Sequence, residues 1–314
     1  MAVWKYYILI YSVLVLIYLW YRYILLFISE FRKRKEYKNY NALLSVIIPF
    51  YNENPDLLEK CVESVIKAKG KKEIIVVDDG SPDKSAYQRL KDKKLSIKLV
   101  RYNENKGKRY AQIYALKYAK GSIIVTMDSD TIIEKNALIN LTKPLIDANV
   151  GATTGNVLAL NEKKNFLTRM IGARYWSAFN IERKSLSSFG IVTCCSGVLS
   201  AYKKTILDQV KDTYLKQKFL GEECTYGDDR HLTNLILKKG YKIYYVEDAV
   251  CYTNVPHKLM DFIKQQLRWK KSFLRESLIT LSFSLKKNFL LSLEVIWNLL
   301  LPFLSLAVRI SIIT

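Results

Sequence analysis

Acidic residues recur in this chain at spacings that could do chemistry together. Asp128-Ser129-Asp130 sets two carboxylates one residue apart. Such a pair can approach one hard cation, and Mg²⁺ or Mn²⁺ held by oxygen ligands often bridges to a substrate phosphate. Alone the triplet is weak, because many loops contain one. Asp78-Asp79-Gly80-Ser81 is a second acidic group, and its composition equally suits a plain turn. Asn105-Lys106-Gly107-Lys108-Arg109 could bring cations and backbone donors to an anion, or be a solvated basic loop. Gly227-Asp228-Asp229-Arg230 supplies a third acidic pair at the start of a helical pattern, where Asp228 is expected to cap the helix. Gln265, Arg268 and Trp269 fall at i, i+3 and i+4 and so share one helical face. Arg268 can meet phosphate oxygens, and Trp269 offers a flat apolar surface.

What is missing narrows the chemistry. With only two histidines, His231 and His257, a histidine metal centre or a Ser-His-Asp triad is nearly excluded, and acid–base work falls to carboxylates. The five cysteines (Cys61, Cys194, Cys195, Cys224 and Cys251) form no C-x-x-C pair, so neither a disulfide framework nor a zinc site fits, and a reducing compartment is expected. Neither a G-x-G-x-x-G fingerprint nor a G-x-x-x-x-G-K-[ST] loop follows a strand pattern, which disfavours dinucleotide oxidoreductases and P-loop ATPases. Lys plus Arg is 50 against 29 Asp plus Glu, and the resulting +21 suits phosphates, lipid head groups or an acidic polymer. The same lysines are also what a biased composition would supply.

The acids must be positioned by something, and the surrounding pattern is strand–helix alternation. Strands are predicted at Leu44–Phe50, Glu73–Asp78, Ile97–Tyr102 and Ser122–Asp128, and helices at Asp56–Lys69, Ala86–Lys91, Lys108–Ala119 and Lys135–Ala148. This spacing implies a mostly parallel sheet covered on both faces. Ligands bind such sheets beyond the carboxyl ends of the strands. Tyr51, Glu53, Asp78, Asp79, Asp128 and Asp130 all follow those ends.

Two segments read as membrane helices. Tyr6–Ile28 is apolar enough to span the ~30 Å hydrocarbon core, and Arg22, near its downstream end, is expected to snorkel outward. A signal peptide would be shorter, with its basic residues upstream; here Arg32, Lys33, Arg34, Lys35 and Lys38 follow. The positive-inside rule then puts residues from about 30 onward in the cytoplasm. Phe289–Ile313 is the second segment, preceded by Lys286 and Lys287. Its Glu294, Asn298 and Arg309 are costly in lipid and are expected to face protein or a wet cavity; Pro302 permits a kink. A buried soluble helix is the alternative for this stretch. Lys258, Lys264, Lys270, Lys271 and Arg275 beside Phe262, Phe273 and Leu274 suit a helix lying on the membrane surface. The expected organisation is a membrane helix over 1–30, a cytoplasmic catalytic domain over 31–256, an interface helix over 257–286 and a second membrane helix over 287–314.

The order of the groups is more specific than any member. Asp-Asp-Gly-Ser, Gly-Lys-Arg, Asp-Ser-Asp, Gly-Asp-Asp-Arg and Gln265-Gln266-Leu267-Arg268-Trp269 run in one direction along residues 44–280, joined by Tyr175-Trp176-Ser177-Ala178-Phe179-Asn180-Ile181-Glu182-Arg183 and Cys194-Cys195-Ser196-Gly197. The chain resembles the processive, membrane-bound family 2 glycosyltransferases, most of all the class I hyaluronan synthases. That resemblance implies a GT-A-like fold, a UDP-sugar donor, a growing polysaccharide acceptor, Mg²⁺ or Mn²⁺, and inversion at the anomeric carbon. It implies Tyr51, Glu53 and Asp79 around the uridine, with Asp78 assisting. It further implies Lys108, Asp128 and Arg268 at the nucleotide, Asp130 with Asp128 at the metal, and Asp229 as the base. Cys194, Ser196, Gly197, Gln265 and Trp269 would face the acceptor sugar, though Cys194 equally suits small core packing.

Val198 stands where this family usually has Pro, and one apolar segment follows the Gln-x-x-Arg-Trp helix where related synthases carry further helices and a lid motif. A shortened chain, a minimal synthase that forms homo-oligomers, or an enzyme that retains its product would each fit. The leading expectation is a plasma-membrane enzyme polymerising N-acetylglucosamine and glucuronate. A chitin-oligosaccharide or poly-N-acetylglucosamine synthase using one donor is the sister alternative. A non-enzymatic basic scaffold for polyanions leaves the strand-end acids unexplained, and no nucleic-acid recognition motif is present.

Overall fold

The computed structural model describes residues 4–31, 37–38 and 40–313. The basic residues Arg32, Lys33, Arg34 and Lys35 lie outside them. The chain opens with helix α1 (Trp4–Phe31) and then alternates β1 (Leu44–Phe50), α2 (Pro55–Lys67), β2 (Lys72–Asp78), α3 (Ser85–Asp92), β3 (Lys98–Arg101), α4 (Lys108–Ala115) and β4 (Ile123–Met127). There follow β5 (Ile132–Ile133), α5 (Ala137–Thr142), β6 (Val150–Ala159), α6 (Phe166–Ser177), α7 (Lys184–Ser187), β7 (Leu199–Lys203) and α8 (Lys204–Leu215). A hairpin of β8 (Lys218–Phe219) and β9 (Glu222–Glu223) leads into α9 (Asp228–Lys238), β10 (Lys242–Thr253), α10 (Leu259–Ser284) and α11 (Phe289–Ile313). The predicted helix over Lys135–Ala148 is shorter than expected. It turns to a 3₁₀ form at Lys143–Ile146, where Pro144 has no N–H to continue the α ladder.

Eight strands form one sheet in the order β3-β2-β1-β4-β7-β6-β10-β5. β1, β2, β3 and β4 pair in parallel, as do β6 and β10, while β7 runs antiparallel to both β4 and β6. Every residue of β1 and β4 is buried, as expected for strands covered on both faces. Ile47, Ile48, Ile75, Val125, Leu138 and Leu141 are among the side chains at the centre of that core. The alternation was visible up to β4. β6 and β10, at 10 and 12 residues, were not, because Thr, Gly, Tyr and charged residues interrupt their apolar pattern.

Lys5–Phe31 and Phe289–Ser311 are each long and apolar enough to cross a membrane. Large apolar side chains along them face outward: Trp20 is 69% and Phe27 65% exposed, as is 56% of Phe303. That is the wrong arrangement for core helices of a soluble domain. α11 continues through Pro302 as one helix. Arg22 does not snorkel. It is buried and ion-pairs with Glu294 of α11, donates to Tyr18 Oη at 2.8 Å, and lies in a polar knot completed by Asn298 Nδ2, 2.5 Å from Glu294 Oε1. Pairing within the helix couple removes two charges from lipid at once, an outcome snorkelling offers to only one of them. Arg309 behaves otherwise, standing exposed near the end of α11.

Breaking this pair should leave one uncompensated charge between the helices. Arg22→Met alone, or Glu294→Leu alone, is expected to destabilise the detergent-solubilised protein by ~3–5 kcal/mol. The double variant should recover most of that in thermal unfolding; a double variant as unstable as the worse single would count against the pairing.

Candidate functional site

The site grows from the carboxyl ends of β1, β2 and β4, where the sheet's buried strands release polar chain to solvent. Asp128 and Asp130 follow β4, and Glu53 follows β1. Ser129 Oγ donates to Glu53 Oε2 at 2.6 Å, joining the two loops. Thr253, at the end of β10, donates to Asp130 Oδ2 at 3.2 Å. Burial, and then the charges of Asp128 and Glu53, push the Asp130 carboxyl up to about 6. Carboxylates crowded to that degree are short of positive charge.

Lys108 supplies the protein's own share of it. At the start of α4, its ammonium ion-pairs with Asp128 and stands 4.0 Å from Asp228 Oδ2. Burial opposes its charge, but the charges of Asp128, Asp228 and Asp229 outweigh that and hold the ammonium protonated. The strand-end acids and the acids of α9 therefore share one site across this lysine. Gly197 borders it: a Cβ added there would lie 2.8 Å from Lys108 Nζ.

Asp228 does not cap α9. Gly227 holds the cap position in the left-handed region, φ 81°, with no side-chain cap. A Cβ at Gly227 would fall 2.5 Å from Ser272 Cβ, so α9 and α10 approach closely there because this residue is glycine. Asp229 Oδ1 accepts from the Arg230 amide at 2.7 Å, and its Oδ2 lies 3.4 Å from Cys194 Sγ. Burial and the Asp229 charge raise the Cys194 thiol to about 11, so it stays protonated at neutral pH.

Asp78 and Asp79 differ from each other. Asp78 is fully buried, ion-paired with Arg101, and accepts from the Ser81 amide at 2.9 Å. In that position Asp78 fixes the loop after β2. Asp79 Oδ1 accepts from Tyr102 Oη at 2.6 Å and the Lys106 amide at 2.8 Å, tying that loop to the one preceding Lys108. Tyr51 is 47% exposed.

On α10, Trp269 stacks on Tyr175 of α6, ring centres 6.4 Å apart at 29°. Burial, and then the Asp128 and Asp130 charges, push the Tyr175 hydroxyl up to about 12. Gln265 Oε1 is buried without a partner, and Arg268 is exposed. Arg275 does not belong to a membrane-facing basic stripe. It is buried, bonded to Glu276 Oε1 at 2.9 Å and to the Tyr226 carbonyl at 2.5 Å.

Glu276 anchors α10 to the rest. Its carboxylate accepts from Gln217 Nε2 at 2.6 Å and Asn234 Nδ2 at 3.0 Å, and His231 Nδ1 is 3.6 Å away. Gln217 in turn accepts at Oε1 from Arg109 at 3.0 Å, so the anchor reaches back to the residue beside Lys108. Asp128, Asp130, Glu53, Lys108, Gly197, Cys194 and Asp229 thus lie in one connected neighbourhood, while Trp269 stacks on Tyr175. Tyr175 and Glu276 were missed as site residues. Tyr175 opens one of the stretches that carry the resemblance and Glu276 follows another by seven residues, but nothing in their type separates them from core packing.

Asp128 and Asp130 suit a divalent cation shared with ligand phosphates rather than an all-protein cage. They are acidic, crowded and incompletely neutralised, and among the described residues no group of three or more ligating side chains surrounds a point.

Comparison with known proteins agrees with this geometry. The model of Glycosyl transferase family 2 matches residues 45–211. An N-acetylglucosaminyltransferase of Azorhizobium caulinodans is 39% identical over 250 residues, 78% of this chain and 62% of that protein. A hyaluronan synthase of Streptococcus pyogenes is 38% identical over 281 residues, 86% of this chain and 66% of that protein. The chain spans less than two thirds of the length of either relative. A mannosyltransferase from Pyrobaculum calidifontis, solved in complex with GDP-Man and Mn²⁺, superposes with a TM-score of 0.70 at 22% identity, covering 96% of this chain and 84% of that one. The likeness fixes the fold as GT-A-like.

The Glu276 anchor carries a pH signature. Burial opposes its ionisation, yet the facing His231 ring and the hydrogen bonds of Arg275 and Gln217 prevail and hold the carboxyl down to about 2. A depressed carboxyl stabilises the fold fully above its unfolded value near 4.5, and that contribution fades as pH falls toward 2. The unfolding free energy should drop across that window by an amount on the order of 3 kcal/mol. In Glu276→Gln the starting stability should be lower and the slope shallower; an unchanged slope would remove Glu276 as its source.

Proposed function

The chain belongs to glycosyl transferase family 2, and on that premise we propose that it is a membrane-bound inverting β-glycosyltransferase that adds N-acetylglucosamine from a UDP donor to a growing saccharide. The observation that carries this reading is the single site in which Lys108 links Asp128, after β4, to Asp228, the neighbour of Asp229 at the start of α9. Donor phosphates and an acceptor hydroxyl have to meet in such a place. N-acetylglucosaminyltransferases and a hyaluronan synthase among the relatives support the sugar class.

In the proposed reaction the C1–O bond to the diphosphate breaks as the acceptor oxygen attacks C1 from the opposite face. Asp229 takes the hydroxyl proton, and UDP leaves with the bonding electrons. Asp229 is set for this, because the Arg230 amide fixes Oδ1 while Oδ2 lies against Cys194. Lys108 trades Asp128 for phosphate oxygens when the donor enters. A divalent cation on Asp128 and Asp130 would act as a Lewis acid on the diphosphate. Tyr51, Glu53 and Asp79 flank the nucleoside, while Arg268 reaches phosphate from α10. Gln265 and Trp269 hold the acceptor sugar, with Tyr175 backing the indole.

We place α1 and α11 across the plasma membrane with the sheet domain on the cytoplasmic side, and α10 along the interface. Repeated addition without release fits the acceptor platform on α10. A second reading, with UDP-glucuronate as alternate donor and hyaluronan as product, is favoured by the 38% identity to a hyaluronan synthase over 86% of the chain.

Purified full-length protein with Mn²⁺ should release UDP from UDP-N-acetylglucosamine, and mass spectrometry of products from one donor against two separates the readings. No UDP release from any UDP-sugar would reject both. Asp229→Asn should lower transfer by at least ~10²-fold while UDP binding by calorimetry is retained; undiminished transfer would move the base elsewhere.

A further inference from the structure

We propose that Asn156 is a saccharide-recognition residue of this site, its buried amide oxygen accepting an N–H or O–H from the bound sugar. The inference rests on the glycosyl-transfer reading and adds a residue that lies in none of the sequence groups behind it.

Asn156 is 8% exposed, and its Oδ1 has no hydrogen-bond partner. A buried acceptor left unpaired is costly, and native folds rarely keep one without a use. Its position is set by register. Ser200 of β7 pairs with Thr126 of β4 on one side and with Thr154 of β6 on the other. Asp128 and Asn156 each follow those paired residues by two positions, and Asn156 itself pairs with Val250 of β10. Side chains alternate along a strand, so Asn156 shares a face with Thr154. Thr154 Oγ1 accepts from the Ser196 amide at 3.0 Å and from Ser200 Oγ at 3.1 Å, which makes this the face toward the Cys194–Gly197 segment. Thr153 points the other way and donates to the Leu141 carbonyl at 2.7 Å. The unpaired amide thus faces the segment that carries Cys194 against Asp229, and it mirrors Gln265, whose Oε1 is likewise buried and unpaired.

The required partner is a hydrogen-bond donor small enough to enter with the substrate. An acetamido N–H and a sugar hydroxyl both qualify, from the donor sugar or from the terminal acceptor sugar. A residue kept for folding would be paired or apolar. Removing an unpaired acceptor should therefore cost activity and spare stability.

Full-length wild type, Asn156→Ala and Asn156→Leu should be compared in detergent. UDP release is titrated first against UDP-N-acetylglucosamine and then against an N-acetylglucosamine oligosaccharide, with thermal unfolding in parallel. Both variants are expected to lose about tenfold in kcat/KM, with an unfolding midpoint unchanged or raised. A raised KM in the first titration assigns the contact to the donor sugar, and in the second to the acceptor. Wild-type kinetics in both variants, or activity lost only in step with a lowered midpoint in both, overturns the proposal. A wild-type chain that releases no UDP defeats the transfer reading itself, which is a different result from an active wild type with insensitive variants.

Discussion

Everything in this site follows from crowding carboxylates where a sheet opens to solvent. Glu53, Asp128, Asp130, Asp228 and Asp229 come from three separated parts of the chain, and Lys108 is the cation set among them. Like charges at such range repel unless something neutralises them, and the protein does so only in part. The deficit is what a cation and a nucleotide's phosphate-binding partners would correct. Burial first, and then that deficit, raise the Asp130 carboxyl, and the surrounding carboxylates keep Lys108 protonated.

Holding such a site together requires rigid support behind it, and the support is polar as well as apolar. The parallel strands fix where β1, β2 and β4 end. Asp78 with Arg101, and Asp79 with Tyr102 and the Lys106 amide, lock the loops between them. Glu276 then gathers Gln217, Asn234, His231 and Arg275, so α9 and α10 cannot move independently. Directional polar networks of this kind favour one arrangement, whereas apolar packing alone would tolerate several.

The two long apolar helices, each able to cross a membrane, obey the same logic. Arg22 and Glu294 are tolerable between α1 and α11 because each neutralises the other, with Asn298 and Tyr18 taking further hydrogen-bonding positions. Reading Arg22 by itself suggested an escape to the head groups. Its partner lies 272 residues away in sequence, and no local pattern announces a pair at that separation.

The sequence by itself determined the acid and lysine groups, their order, the first half of the sheet and the two apolar spans. These are local properties: a strand's apolar run, a motif's spacing and a helix's length are all written in neighbouring residues. It did not determine β6 and β10, whose mixed composition hides their burial, nor that Gly227 rather than Asp228 would take the cap position. Nor could it separate Asp78, enclosed by Arg101, from Asp79 next to it. The anchoring role of Glu276, the backing of Trp269 by Tyr175 and the unpaired amide of Asn156 were decided only when distant segments met. Burial and hydrogen-bond satisfaction are properties of a packed neighbourhood, and that neighbourhood does not exist until the chain has folded.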